Sequence, residues 1–296
     1  MKDWIAGARP RTLPAALVPV LVGTAAAAGM NGDTNALKGL FIWRFVAALV
    51  VSLALQIGVN YANDYSDGIR GTDADRVGPM RLTGSGRKSP GAVKRAAFLS
   101  FGVAAAAGLS LAAATSWWLI AVGLVAIAAA WFYTGGPRPY GYAGLGEVFV
   151  FVFFGVVATT GSAFVQIERF TPLTVLVSIP VGLFATALLV VNNLRDIPGD
   201  TESGKRTLAV RLGDKRTRIF YIVLVVLPFF MVPFLCGLSQ RPAGAFSMFA
   251  VLLARKPVQR VIEGARGPAL IPVLGATGKV QLAFGVLISV GLFIGG

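Results

Sequence analysis

Apolar stretches long enough to cross a lipid bilayer recur along this chain, and that recurrence limits the fold more than any other feature. About 17 to 25 predominantly apolar residues span the roughly 30 Å hydrocarbon core. Such stretches are read at residues 13–30, 40–62, 94–115, 116–134, 145–165, 171–193, 217–238 and 278–295, with a weaker one at 243–254. In lipid each backbone N–H and C=O must be satisfied within its own segment, so the spans are helices. The expectation is an all-α, polytopic membrane bundle of nine transmembrane helices, forming a single domain over residues 1–296. Composition agrees, with 55% of residues hydrophobic and 14% charged, against about 25% charged in soluble domains.

Sidedness follows from the loops. The first run, after Lys2, Arg9 and Arg11, is read as a retained span rather than a cleaved signal, because the charge asymmetry depends on it. With the N-terminus on one side, that side holds 22 of the 27 Lys and Arg and 11 of the 13 acids. Excess Lys and Arg mark the cytoplasmic face. The N-terminus and acidic motifs are therefore expected on the cytoplasmic side of the cell membrane. Basic loops there also attract anionic headgroups, so membrane lipids, and no nucleic acid, are the expected surroundings.

The chain has no histidine and one cysteine, Cys236. Disulfides and cysteine-built metal sites are excluded, and any metal must be held by oxygen. Hard cations such as Mg²⁺ suit that donor set.

Two acidic clusters stand at two helix mouths. In "QIGVNYANDYSD", closing the second span, Gln56, Asn60, Asn63, Asp64 and Asp67 fall on one helical stripe. Polar residues at that depth face the bundle interior. In "NNLRDIPGD", closing the sixth span, Asn192, Asp196 and Asp200 repeat at intervals of four, and Pro198–Gly199 is expected to break the helix between the aspartates. Clustered carboxylates repel unless a cation lies among them. With Arg70, Arg76, Arg81, Lys205 and Arg206 close in sequence, the pattern points to a polyanion bridged by divalent metal. The competing readings are helix ends whose acids pair with neighbouring arginines, and a carboxylate relay for ion transport. Transport sites are usually built at the midplane, whereas these acids sit at the helix mouths.

Two loops on the same face have other readings. "TGSGRKS" (residues 83–89) lacks the spacing and preceding strand of a nucleotide P-loop, and is expected to be a flexible cationic stretch over the site. "YTGGPRPYGYAGLGE" (133–147), with Arg138, is a stiff Gly/Pro loop that serves equally well as a bare linker. The aromatic run "FVFVFF" (149–154) is expected to face lipid or pack between helices.

The motifs "NDYSD" and "NNLRDIPGD" in a nine-span chain resemble those of the UbiA superfamily of membrane prenyltransferases. "ARPRTLPAALVPVLVGT", "NYANDYSDGIRGTD" and "YTGGPRPYGYAGLGE" are similar to the branch acting on 1,4-dihydroxy-2-naphthoate. The resemblance implies Mg²⁺-dependent transfer of a polyprenyl chain from an allylic diphosphate to that aromatic acceptor, with loss of CO2 and diphosphate. It implies metal binding by Asn60, Asn63, Asp64, Asp67, Asn192, Asp196 and Asp200, with the four aspartates catalytic. Arg138, Lys205, Arg206, Arg70 and Arg81 are the implied diphosphate partners. The family's first motif commonly runs Asn, Asp, Asp at intervals of four. Here Asn60 and Asp64 fit, but the next step falls on Gly68, with Asp67 one residue early, so the direct ligands, and any part for Asp73, stay open.

Overall fold

The computed structural model describes residues 1–30, 39–71 and 80–295. Asp73 and Arg76 lie outside the described residues. The described chain folds into helices α1 (Lys2–Gly7), α2 (Pro14–Ala27), α3 (Ile42–Ile69), α4 (Pro90–Ala114) and α5 (Leu119–Phe132), then α6 (Gly146–Ile167), α7 (Pro172–Glu202), α8 (Leu208–Ser239), α9 (Val251–Ile262) and α10 (Leu270–Gly295). No strand occurs among the described residues.

Six helices, α3, α4, α6, α7, α8 and α10, are long and apolar enough to cross a membrane, so this is a multi-pass membrane protein. The count of nine is not reached by length alone. α1 continues through a 3₁₀ turn at Pro10–Thr12, and that segment meets α2 at 54°. α5 has only 14 residues, and the weak run near 243–254 is a 3₁₀ segment, Pro242–Ala250, passing into α9.

Helix starts follow local chemistry. Ser89 caps α4 by accepting from the Ala92 N–H, with Pro90 in the first turn. Thr171 and Thr174 form a reciprocal capping box before α7, and Thr207 caps α8. Each satisfies N–H groups that a helix end leaves without partners.

α7 is the axis of the bundle. In its most apolar stretch 72% of residues are buried, against 28% for α3 and α4, because α2, α6, α8 and α10 all pack on it. Phe184, Phe229 and Phe284 meet there with ring centroids 5.0 to 5.8 Å apart. Where α2 crosses α6, a Cβ on Gly23 would fall 2.1 Å from the Thr159 carbonyl oxygen, so only glycine permits that approach. Buried Arg241 donates to the carbonyls of Ala28 at 2.8 Å and Leu292 at 3.1 Å, tying the ends of α2 and α10.

One local expectation fails with a consequence for the site. α7 runs unbroken through Pro198 to Glu202. Proline's fixed φ suits a helix, and its cost is one backbone bond and some crowding. The last turn is closed regardless, by Ser203 N–H to Gly199 O at 2.9 Å and Lys205 N–H to Asp200 O at 2.8 Å. Asp196 and Asp200 therefore share one helix face, a turn apart.

Candidate active site

A cavity of about 1420 Å³ lies between α3, α4, α5, α6 and α7, with the α1–α2 hinge over one side. One end is polar, walled by Asn60, Asn63 and Asp67 from α3 and Asn192, Asp196 and Asp200 from α7. The remainder is apolar, with Val51, Leu55, Gly108, Ile127 and Phe153 on its wall. Tyr133, Tyr140, Phe149 and Phe153 form an aromatic ladder on that wall, with successive centroids 5.5, 4.0 and 6.0 Å apart. The "FVFVFF" run thus contributes Phe149, Phe153 and Phe154 to the cavity rather than to lipid alone. Two of these rings, Phe153 and Phe154, stand in the π-helical stretch Phe151–Val157, a departure from α-helix that is frequent at functional sites.

The two acidic walls meet across Lys205. Its Nζ is 3.2 Å from Asp67 Oδ1 and 4.0 Å from Asp200 Oδ1. Asp67 also accepts from the Tyr142 hydroxyl and lies 3.8 Å from Arg81 Nη2. The Lys205 ammonium stands 4.6 Å from the centre of the Tyr142 ring, and the Arg206 N–H donates to the Tyr142 carbonyl at 2.9 Å. Tyr142 comes from the loop that could have been a bare linker, and Thr134, Tyr140 and Gly141 of the same loop line the cavity with it. Burial pushes the Tyr140 phenol well above its usual range, so it stays protonated and donates to the Ala129 carbonyl at 2.8 Å.

On the second wall Arg195 grips Asp196 in a two-point contact of 2.7 and 2.8 Å and reaches Asn192 Oδ1 at 2.8 Å. Its Nη1 is buried without a hydrogen-bond partner. Such a group costs stability unless something fills the position. Arg195 and Tyr142 were not singled out from sequence. Arg195 was legible as the residue three past Asn192, on the same helix face.

Other expected residues are placed differently. Asp64 is fully buried and absent from the cavity wall, because its carboxylate accepts from the backbone N–H groups of Leu82 and Thr83. The stretch 83–89, expected to be flexible, is thereby held in a turn. Asn60 reaches the wall, but its amide donates to Ala8 O at 3.0 Å. Gln56 donates to Thr12 Oγ1 at 3.0 Å, so this part of the stripe fastens the α1–α2 hinge. Asn63 Oδ1 accepts from Thr134 Oγ1 at 2.8 Å. Arg70 donates to the Thr134 and Gly136 carbonyls. Arg138 and Arg206 are exposed and off the cavity wall; the Pro-rich turn points the first outward, and the second contributes its backbone.

The donor set at the polar end is all oxygen. Among the described residues no three His, Cys, Asp or Glu side chains converge as a ready-made metal cage. Magnesium uses one or two carboxylates and completes its shell with water and substrate phosphates, and two sparse acidic walls across a gap fit that habit. Asp67 and Asp200 already share one cation, Lys205.

The UbiA prenyltransferase family matches residues 16–268. This chain belongs to the UbiA prenyltransferase family. As a UbiA-family protein it is a membrane-embedded prenyl-transferring enzyme. It is 47% identical over 293 residues to the 1,4-dihydroxy-2-naphthoate octaprenyltransferase of Mycobacterium tuberculosis, covering 99% of this chain and 97% of that protein. It is 36% identical to the enzyme so named from Escherichia coli, over 98% and 95% of the two chains. In fold it is similar to the solved UbiA homolog from Archaeoglobus fulgidus bound to DMAPP and Mg²⁺, with TM-score 0.64, 15% identity, and coverage of 97% and 99%.

Proposed function

We propose that this enzyme transfers a polyprenyl chain from an allylic diphosphate to 1,4-dihydroxy-2-naphthoate, releasing CO2 and diphosphate and forming demethylmenaquinol, the quinol of demethylmenaquinone. The relatives from M. tuberculosis and E. coli carry that acceptor in their names. The observation that carries the reading is the Lys205 bridge between Asp67 and Asp200, which puts both acidic motifs at one end of an otherwise apolar cavity.

Asp67, Asp196 and Asp200, with Asn63 and Asn192, would hold Mg²⁺ together with the diphosphate. The metal, when bound, offsets negative charge growing on the departing diphosphate. Lys205 and Arg81 add charge-assisted hydrogen bonds at the same end. The allylic C–O bond breaks, and the aromatic ladder offers π faces to the resulting cation. The electron-rich ring attacks through its carboxyl-bearing carbon, the new C–C bond forms, and the carboxylate leaves as CO2. The apolar wall keeps water from trapping the cation as prenol.

Residues 1–296 work as a single domain of nine spans, counting α2, α5 and the Pro242–Ala254 stretch with the six long helices. A 3₁₀ segment rises about 2.0 Å per residue, which lets the short 242–254 run reach further than an α-helix would. The excess of Lys and Arg places the N-terminus and acidic motifs on the cytoplasmic face of the cell membrane.

The test is purified enzyme given radiolabelled farnesyl diphosphate with 1,4-dihydroxy-2-naphthoate, 4-hydroxybenzoate or homogentisate. Labelled prenylated naphthoquinol with release of CO2 is expected from the first acceptor alone. Preference for another acid, or no prenylation, overturns the reading.

A further inference from the structure

Asp64 belongs to the acidic motif, yet its position differs from that of Asp67, less than one helical turn away. Asp67 lines the cavity; Asp64 is fully buried and turned from it. Both its oxygens are engaged, Oδ2 by the Leu82 N–H at 2.7 Å and Oδ1 by the Thr83 N–H at 3.0 Å. Two backbone N–H groups on one carboxylate form a strong, directional clamp.

The clamped segment is built to receive it. Leu82 is itself fully buried against Gly7 of α1, where a Cβ would fall 2.6 Å from Leu82 Cδ1. Thr83 lies against Gly68 of α3, where a Cβ would fall 2.4 Å from Thr83 Cγ2. The turn closes through Lys88 N–H to Leu82 O and Ser85 N–H to Arg81 O, both 3.0 Å. Immediately before the clamp stands Arg81, whose Nη2 is 3.8 Å from Asp67 Oδ2.

We propose that Asp64 is a positioning residue rather than a metal ligand: it fixes the 80–88 turn so that Arg81 meets Asp67 at the diphosphate end of the cavity. The inference rests on the prenyl-transfer reading for its functional consequence, while the clamp is observable without any substrate. It divides the acidic motif into a structural acid, Asp64, and an acid facing the ligand, Asp67. An Asn at 64 keeps one acceptor and sets an NH2 donor against a backbone donor, which opens the clamp with little change in volume.

Hydrogen–deuterium exchange on full-length protein in nanodiscs, with EDTA, reads the clamp directly in peptides covering 80–88. Wild type is expected to protect the Leu82 and Thr83 amides there without metal, and Asp64→Asn to lose the protection of those two. In turnover, Asp64→Asn and Leu82→Ala are both expected to lower kcat about tenfold or more, with an unchanged half-saturating Mg²⁺ concentration. Asp67→Asn is expected to raise that concentration. Leu82→Ala keeps the test open if Asp64→Asn fails to fold. A wild-type turn protected only after Mg²⁺ addition overturns the inference. So does an Asp64→Asn enzyme whose Mg²⁺ requirement rises as in Asp67→Asn. Absence of prenyl transfer by wild type, with the amide protection intact, rejects the reaction and leaves the clamp standing.

Discussion

Lys205 Nζ lies 3.2 Å from Asp67 Oδ1, joining residues 138 positions apart in the chain. That contact, on the edge of a cavity that also holds Asp200, makes two separate motifs one site. Lys205 is almost fully buried, so its charge is weakly screened by water. Lys205→Ala leaves Asp67 and Asp200 facing each other and removes a cation from the diphosphate end. Steady-state assays are expected to show kcat/KM for the prenyl diphosphate lowered about 100-fold. A loss below about threefold would contradict a role at the diphosphate.

Tyr142 supports the same contact in two ways, through its hydroxyl on Asp67 and its ring beneath Lys205. Tyr142→Phe keeps the ring and loses the hydroxyl. A decrease in kcat/KM of about tenfold is expected, corresponding to one hydrogen bond to a charged group. Tyr142→Ala, which loses both, is expected to fall further in the same assay.

Removal of metal is expected to stop turnover, since the two acidic walls and the diphosphate then have no shared cation beyond Lys205 and its basic neighbours. EDTA should abolish product in isolated membranes, and Mg²⁺ should restore it. Ca²⁺, which needs six to eight oxygen ligands at longer distance, should restore little. Product formation that is indifferent to chelator would contradict this.

Arg241 separates stability from chemistry. It donates to carbonyls at the ends of α2 and α10 and stands outside the cavity wall. Arg241→Met leaves those buried carbonyls without donors, at about 1–3 kcal/mol each. A Tm lowered by several degrees in thermal unfolding is expected, with KM for both substrates unchanged in the surviving enzyme.

The long helices and the polar stripe were legible because their causes are local: apolar length sets a span, and a period of 3.6 sets a face. The sidedness of Asp67 and Asp64 was not. Both lie on the stripe, and what separates them is the 80–88 turn, which sequence alone reads as flexible. Asp200 was expected on a turn beyond a broken helix because Pro198–Gly199 usually ends one; α7 instead continues to Glu202, where the Ser203 and Lys205 N–H groups close its end on the Gly199 and Asp200 carbonyls. Arg206 was nominated by proximity in sequence and Arg138 by the family resemblance, yet the site is assembled across the bundle, where Lys205 and Arg195 line the cavity and those two do not. The "YGYAG" loop carried Tyr142 in plain view, but only packing gives a linker tyrosine a partner such as Asp67.

Binding of farnesyl thiodiphosphate, an unreactive analogue, tests most directly whether Asp67 and Asp200 act as one metal–diphosphate site. With purified protein, calorimetry should detect tight binding in Mg²⁺ and none in EDTA, and Asp67→Asn and Asp200→Asn should each weaken it at least about tenfold. Binding that is equally tight without metal, or that depends on only one of the two aspartates, would contradict the account.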